Sequence, residues 1–131
     1  MATVLITGTN RGLGLEFVKQ FLQQGDNVIA SCRDSSHAPE LQALVDTNSS
    51  LSLVNLDVSD EQSMASLAST LGDTAIDIFV NNAGVYGPRD ANFGKVTSAD
   101  WESVMQVNAI APMLLTQQII SNLRLGNARK L

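Results

Sequence analysis

The chain has 131 residues, 44% of them hydrophobic and 5% aromatic, so we expect one domain with a core of mostly aliphatic side chains. Its formal net charge of −5 and the lack of a basic tract argue against nucleic acid as a partner. The sequence has no apolar run of the roughly 18 residues that span a bilayer and no basic-plus-apolar leader, so we expect a cytoplasmic protein. Because it has only one cysteine and one histidine, we expect neither a disulfide nor a metal site.

The first predicted unit is a buried strand, a glycine turn and a helix with no linker between them. Residues 4–7 are apolar or β-branched, which predicts a strand. Glycines follow at positions 8, 12 and 14, and residues 12–24 then have apolar side chains at helical spacing, with Gly25 at the expected C-terminal cap. The expected apolar face of this helix consists of Leu13, Phe17, Phe21 and Leu22.

A glycine turn that opens a helix is suited to binding an anion. The first N–H groups of a helix have no partner within it, and the helix dipole is positive at that end. Glycine permits a positive φ and has no Cβ to keep a phosphate from the backbone. A tight turn without a ligand is the alternative, but the strand and helix around it are those of a dinucleotide-binding unit. The predicted cofactor-binding residues are Gly8, Thr9, Asn10, Arg11, Gly12, Leu13 and Gly14.

The end of the second predicted strand, 28–32, indicates which dinucleotide is bound. This strand end lies beside the adenosine ribose, where a carboxylate favours NAD and a guanidinium favours the 2′-phosphate of NADP. Cys32 stands where NAD-dependent enzymes often have the acid, and Arg33 follows it. With Arg11 expected to reach the same phosphate, we predict NADP(H) rather than NAD(H), with Arg33 in the site. The alternatives are that both arginines are solvated surface charges, and that Asp34 pairs with Arg33 or repels the phosphate.

The third and fourth predicted strands also end in polar residues. After a helix over 39–47, the third strand, 51–57, ends at Asp57-Val58, and Ser59 with Gln62 has the spacing of a capping box for a helix over 60–71. The fourth strand, 76–82, runs into the motif Asn-Asn-Ala-Gly at 81–84. Two amides there indicate either a bound polar group or hydrogen bonds that join neighbouring strand ends. The small residues that follow them allow a ligand to approach the backbone.

Beyond the fourth strand the sequence predicts a polar loop and then helices to about residue 124. Tyr86 and Phe93 either line a ligand pocket or fix the loop in place. Ser98 is the expected N-cap of the next helix. Asn108 precedes Pro112, where a kink would free helix carbonyls for its amide to satisfy.

Strands that alternate with amphipathic helices predict an α/β fold, a Rossmann-type doubly wound parallel sheet. Three motifs then resemble the short-chain dehydrogenase/reductase family in order and spacing: T-G-x-x-x-G-x-G at 7–14, Asp57-Val58, and Asn-Asn-Ala-Gly at 81–84. Residues 31–34, Ser-Cys-Arg-Asp, are similar to the NADP-preferring branch that includes the carbonyl reductases, the insect sniffer proteins and the bacterial C-factor-like proteins.

The resemblance implies roles for particular residues. Asp57 and Val58 would contact the adenine, and Asn108 would act as a catalytic residue that holds a water of the proton relay. The remaining expected cofactor-binding residues are Asn82, Ala83 and Gly84.

The resemblance also implies an oxidoreductase that moves a hydride between the nicotinamide and a small carbonyl or alcohol substrate. The family's general acid or base is a tyrosine with a lysine four residues later, whereas Tyr86 is followed at that spacing by Asp90. We therefore expect residues 1–131 to be a single, incomplete dinucleotide-binding domain. It would correspond to the N-terminal half of the family's pattern, truncated after the fourth strand and the following helices, and it would be inactive alone. The alternative is a non-catalytic nucleotide-binding or subunit-interaction module. The family commonly forms homo-oligomers through the helix that corresponds to residues 113–123.

Overall fold

Residues 1–131 are described by a computed structural model, in which four parallel strands form a sheet with the order β3-β2-β1-β4. The strands are β1 (Thr3–Thr7), β2 (Asn27–Cys32), β3 (Leu51–Asn55) and β4 (Ile78–Val80). The helices are α1 (Gly12–Gln23), α2 (Pro39–Thr47), α3 (Glu61–Leu71), α4 (Ser98–Met105), α5 (Ala111–Gln118) and α6 (Ile120–Leu125). A 3₁₀ turn, Ser35–His37, precedes α2, and a π-helical turn, Gln106–Ile110, joins α4 to α5. This parallel sheet with helices confirms the predicted fold class. No helix has the length and apolar character needed to cross a membrane.

The sheet reverses its winding direction at β1. Leu5 of β1 is in register with Ile29 of β2 on one side and with Phe79 of β4 on the other. The chain moves outward from β1 to β2 and β3, then crosses back to place β4 on the opposite side. In open α/β sheets, ligands bind at the carboxyl ends of the strands where such a reversal occurs. This places a candidate site at the ends of β1 and β4.

Both faces of the sheet are covered, which explains the uninterrupted apolar runs in its strands. Leu5 is buried on one face in a cluster with residues of α3, α5 and α6, and Val4 and Ile6 are buried on the other with residues of α1 and α2. The largest fully buried side chain is Phe79. The rest of the core is mostly aliphatic, as the composition predicts, and the core fixes the positions of the four strand ends.

The buried face of α1 agrees with the prediction in part, because Phe21 and Leu22 pack against the core but Leu13 and Phe17 do not. Leu13 is 73% exposed and Phe17 is 37% exposed, while Gly14, Leu15 and Val18 are buried. The reason lies in the turn before the helix, because a Cβ built at Gly14 would overlap the carbonyl oxygen of Gly8. The close approach of Gly14 to the turn sets the rotation of the helix about its axis and directs Leu13 outward.

Two helix caps differ from the prediction by one residue. The N-cap of α3 is Asp60, whose carboxylate accepts a hydrogen bond from the N–H of Gln62 at 3.0 Å, while the Ser59 hydroxyl donates to Asp57. The N-cap of α4 is Thr97, not the expected Ser98, and it forms a capping box with the side chain three residues later. In both cases a second capping residue stands beside the predicted one, and sequence alone does not rank them.

The outer edge of β4 is partly covered by the end of the chain. β4 is shorter than predicted, and Lys130 forms a parallel bridge with Ile78. The N–H of Lys130 donates to the carbonyl of Asp77, and the N–H of Phe79 donates to the carbonyl of Lys130, both at 2.9 Å. The Asp77 carboxylate also accepts from the N–H groups of Thr3 and Asn127. Residues 127–130 thus occupy part of the hydrogen-bonding edge of β4.

The last helical run is only partly exposed. Of its apolar side chains, Met113 is 64% exposed and Ile120 is 40% exposed, but Ile119 and Leu123 are buried against α3 and β4. The apolar surface that this run offers for association is therefore narrow, because one side of it belongs to the core.

Candidate functional site

Two glycines of the turn between β1 and α1 are required by close packing. Gly8 has a φ of +67°, and a Cβ built on it would lie 2.9 Å from the Cα of Ala83. A Cβ at Gly14 would overlap the Gly8 carbonyl and lie 2.6 Å from Nδ2 of Asn82. Side chains at either position would push β4 away from the turn, so these two glycines are explained without any ligand.

Gly12 is different, because nothing in the chain occupies the space beside it. It is the first residue of α1, it has a φ of +58°, and a Cβ built on it would meet no atom within 4 Å. The N-cap residue, Arg11, makes no side-chain hydrogen bond to the helix, and the first turn contains no acidic residue. The start of α1 therefore offers uncapped N–H groups beside open space, an arrangement that fits a phosphate.

Asn82 joins β4 to the glycine turn. Its Nδ2 donates to the carbonyls of Thr7 and Gly8, both at 3.0 Å. The hydroxyl oxygen of Thr7 accepts in return from the N–H groups of Asn82 and Ala83, both at 3.0 Å. The Asn82 side-chain N–H groups are thus used to hold the two strand ends together, which was one of the two alternatives for the paired amides. Asn81 is exposed and makes no such bonds.

Thr7 and Thr9 were not recognised from sequence as structural parts of the turn. Thr9 is fully buried, and both its hydroxyl and its N–H donate to the carbonyl of Ser31, at 3.0 and 3.1 Å. Its side chain therefore attaches the turn to β2. The sequence feature that indicates this role is a threonine on each side of Gly8.

Arg33 and Asp57 are neighbours at the ends of β2 and β3. Hydrogen bonds from the Ser59 hydroxyl and N–H hold the pKa of Asp57 below its ordinary value, and the positive charge of Arg33 acts in the same direction. Arg33 itself is exposed and forms no salt bridge. Val58 is half-buried and packs against the core cluster of α3. An anionic carboxylate and an unpaired guanidinium therefore lie together at this edge.

Asn108 is held by the backbone just after the Asn-Asn-Ala-Gly motif. It lies in the π-helical turn, where its Oδ1 accepts from the N–H of Val85 at 2.8 Å and its Nδ2 donates to the carbonyl of Val85 at 2.7 Å. A Cβ at Gly84 would lie 3.3 Å from the same Oδ1. The side chain of Asn108 thus positions the 84–85 segment and does not bond to carbonyls of its own helix.

A surface cavity of about 540 Å³ lies beside this segment. It is bordered by Arg11, by residues 84–89 and by Asp100, Ser103 and Val104 of the region around α4. Tyr86 lines the cavity and Phe93 does not, and both side chains are fully exposed, so neither fixes the loop. Arg11 faces this cavity and Arg33 faces Asp57, so the two arginines have different neighbours.

The chain matches a known protein family over nearly its whole length. Residues 2–129 match the family model described as short chain dehydrogenase. A short chain dehydrogenase of Penicillium aethiopicum is 38% identical over an alignment of 133 positions, which covers 97% of this chain and 52% of that protein.

Solved structures give the same result. An NADPH-bound carbonyl reductase from chicken fatty liver superposes with a TM-score of 0.88 and 34% identity, covering 95% of this chain and 52% of that one. The carbonyl reductase Sniffer of D. melanogaster superposes with a TM-score of 0.86 and 28% identity, again covering 95% and 52%. The chain therefore spans about half the length of the proteins it matches.

Proposed function

Because the chain belongs to the short-chain dehydrogenase family, we propose that it is the cofactor-binding portion of an NADP(H)-dependent oxidoreductase that reduces carbonyl compounds or oxidises alcohols. The observation that carries the proposal is the open, positive-φ position of Gly12 at the uncapped start of α1. The structural similarity to an NADPH-bound carbonyl reductase supports the same cofactor.

Each part of the cofactor has a proposed set of residues in this chain. The backbone of the turn from Gly8 to Gly14, with Asn10 and Arg11 exposed on it, would hold the pyrophosphate at the helix N-terminus. Arg33 would bind the 2′-phosphate, and the neighbouring Asp57 and Val58 would contact the adenine. The 82–84 segment would border the nicotinamide half, where Asn82 fixes the shape of the backbone.

When bound, the nicotinamide supplies a hydride to a carbonyl carbon or accepts one from an alcohol. In our proposal, the substrate lies in the cavity beside residues 84–89, and Asn108 fixes the backbone at its rim. The 131 residues contain no Tyr-x-x-x-Lys pair to protonate the substrate oxygen, so we expect them to show no turnover alone. We also propose a cytoplasmic protein that associates with itself through its exposed apolar helical surface.

The proposal is tested by titrating the chain with NADPH and comparing two glycine variants. Gly12 and Gly25 both have a positive φ and open space where a Cβ would stand, but only Gly12 lies at the start of α1. Gly12→Ala and Gly25→Ala should each lose about 1 kcal/mol of folding stability. Only Gly12→Ala should weaken NADPH binding, by about tenfold or more.

Two results would contradict the proposal: a folded wild-type chain that does not bind NADPH, or equal binding losses in the two glycine variants. NADPH-dependent turnover by the pure 131-residue chain would leave the cofactor assignment in place and would contradict the expected inactivity.

A further inference from the structure

Directly after β2, Ser36 and His37 form hydrogen bonds with the carboxylate of Asp34, whose side chain is 53% exposed. Asp34 is the N-cap of the 3₁₀ turn, and its Oδ1 accepts from the N–H of Ser36 at 3.0 Å and from the Ser36 hydroxyl. Its Oδ2 lies 2.7 Å from Nδ1 of His37. Both oxygens are therefore engaged, and these bonds, with the Ser36 hydroxyl as the largest cause, hold the pKa of Asp34 below its ordinary value.

Two other elements hold this turn in place. The N–H of Ser35 donates to Oδ1 of Asn55 at the end of β3, at 2.9 Å. The Nε2 of Gln42 in α2 donates to the carbonyl of Ser35 at 2.8 Å. Both bonds hold the backbone of Ser35, the residue between Asp34 and Ser36, so the fold sets the position of Ser36 and His37 relative to Asp34.

Arg33 precedes this carboxylate in sequence but does not pair with it. The carboxylates of Glu40 and Asp34 lie within contact distance of Lys19 and His37, respectively, and Arg33 forms no such pair. Its positive charge acts instead on Asp57 across the strand ends. A free carboxylate next to Arg33 would compete for the guanidinium, repel a 2′-phosphate and accept hydrogen bonds from the ribose hydroxyls of NAD.

We propose that Ser36 and His37 act as positioning residues for cofactor preference. By engaging both oxygens of Asp34, they keep that carboxylate from pairing with Arg33 or facing the ribose, and Arg33 remains available to a 2′-phosphate. This inference rests on the proposed function, and it assigns the choice between NADP and NAD to two residues that do not themselves contact the cofactor.

The test measures the dissociation constants of 2′,5′-ADP and 5′-AMP by calorimetry in a double-mutant cycle. The double variant S36A/H37A removes both side-chain donors and keeps the Ser36 N–H bond that caps the turn. Freeing Oδ2 of Asp34, with Oδ1 held by the backbone N–H alone, should lower the preference for 2′,5′-ADP over 5′-AMP by about three- to tenfold. The same two substitutions in a chain that also has Asp34→Asn should leave the preference unchanged, because no carboxylate is then released.

The Asp34→Asn background separates a positioning role from a structural one. If Ser36 and His37 only stabilised the turn, their loss would weaken both nucleotides alike in both backgrounds. The inference would be overturned if the ratio of the two dissociation constants were unchanged in S36A/H37A, or if it fell equally with Asn at position 34. In either case, a wild-type preference for 2′,5′-ADP would leave the proposed function standing. A folded wild-type chain that binds neither nucleotide would instead overturn the proposed function, and the inference with it.

Discussion

The two sides of the candidate site are built differently. The inner side consists of the ends of β1 and β4 (residues 7–14 and 81–84), and contacts within the chain stabilise it. The side chains of Asn82 and Thr7 form four hydrogen bonds with neighbouring backbone, and Gly14 lies against Gly8. On the outer side, at the ends of β2 and β3 (residues 33–37 and 55–59), Arg33 is exposed and without an ion pair. The inner side is defined by packing, and the outer side presents charge to solvent.

This difference means that a motif residue need not be a ligand-binding residue. Most inner-side residues would be needed for the turn to form even if nothing bound there, whereas nothing inside the chain requires a guanidinium at position 33. Substitutions on the inner side should therefore act first on folding, and substitutions on the outer side on charge and binding.

The largest expected effect is that of Gly14→Ala on folding. Its Cβ would overlap the Gly8 carbonyl, which is backbone and has no free rotation with which to move away. We expect a loss of about 3 kcal/mol or more in the free energy of unfolding, measured by urea denaturation. Gly12→Ala is the control, since its cost of about 1 kcal/mol comes from the positive φ alone. Equal losses in the two variants would show that the inner side is not tightly packed.

The rotation of α1 about its axis could not be predicted from the sequence. The strand, the glycine turn and the extent of α1 could be predicted from local patterns, because apolar runs, glycines and helical spacing are all properties of neighbouring residues. The exposure of Leu13 could not, because it follows from a contact between Gly14 and the carbonyl of Gly8. Such a contact depends on how two elements are joined in space.

The sequence likewise predicts which residues lie at the strand ends but not what their polar atoms contact. Positions 8–14, 33, 57–58 and 82–84 lie at the carboxyl ends of the four strands, and this follows from their order along a parallel sheet. The hydrogen-bond partners of individual polar atoms could not be predicted from this order. Whether the Nδ2 of Asn82 faces a ligand or the carbonyl of Thr7 depends on a separation of 3.0 Å between residues 75 apart in sequence.

The second expected effect is a difference between two adjacent asparagines. Asn82→Ala removes the donor to two carbonyls and should cost about 2 kcal/mol of folding stability. Asn81→Ala is the matched control, because Asn81 is exposed and its side chain makes no hydrogen bond, so its effect should stay within about 0.5 kcal/mol. Thermal or urea unfolding of both variants checks this. An equal loss of stability in Asn81→Ala and Asn82→Ala would mean that Asn82 is not the one asparagine of the pair that stabilises the fold.

The smallest expected effect is a pH dependence confined to the outer side. Hydrogen bonds from Ser59 lower the pKa of Asp57 from its ordinary 3.8, so their contribution to stability is present above that value and is lost as the pH falls through the lowered pKa. Ser59→Ala removes the hydroxyl donor, which is the largest of these causes. The difference in unfolding free energy between wild type and this variant should therefore be greatest near neutral pH and shrink in acid below 3.8.

Ser66→Ala provides the control for that measurement, because the Ser66 hydroxyl donates to the carbonyl of Gln62, which does not titrate. Its small cost should be the same at every pH at which the chain is folded. The deficit of Asn82→Ala should also be constant, since the hydrogen bonds at Asn82 join amides, carbonyls and a hydroxyl, none of which titrates. A Ser59→Ala deficit that did not change with pH would mean that the Asp57 carboxylate does not accept the Ser59 hydrogen bond.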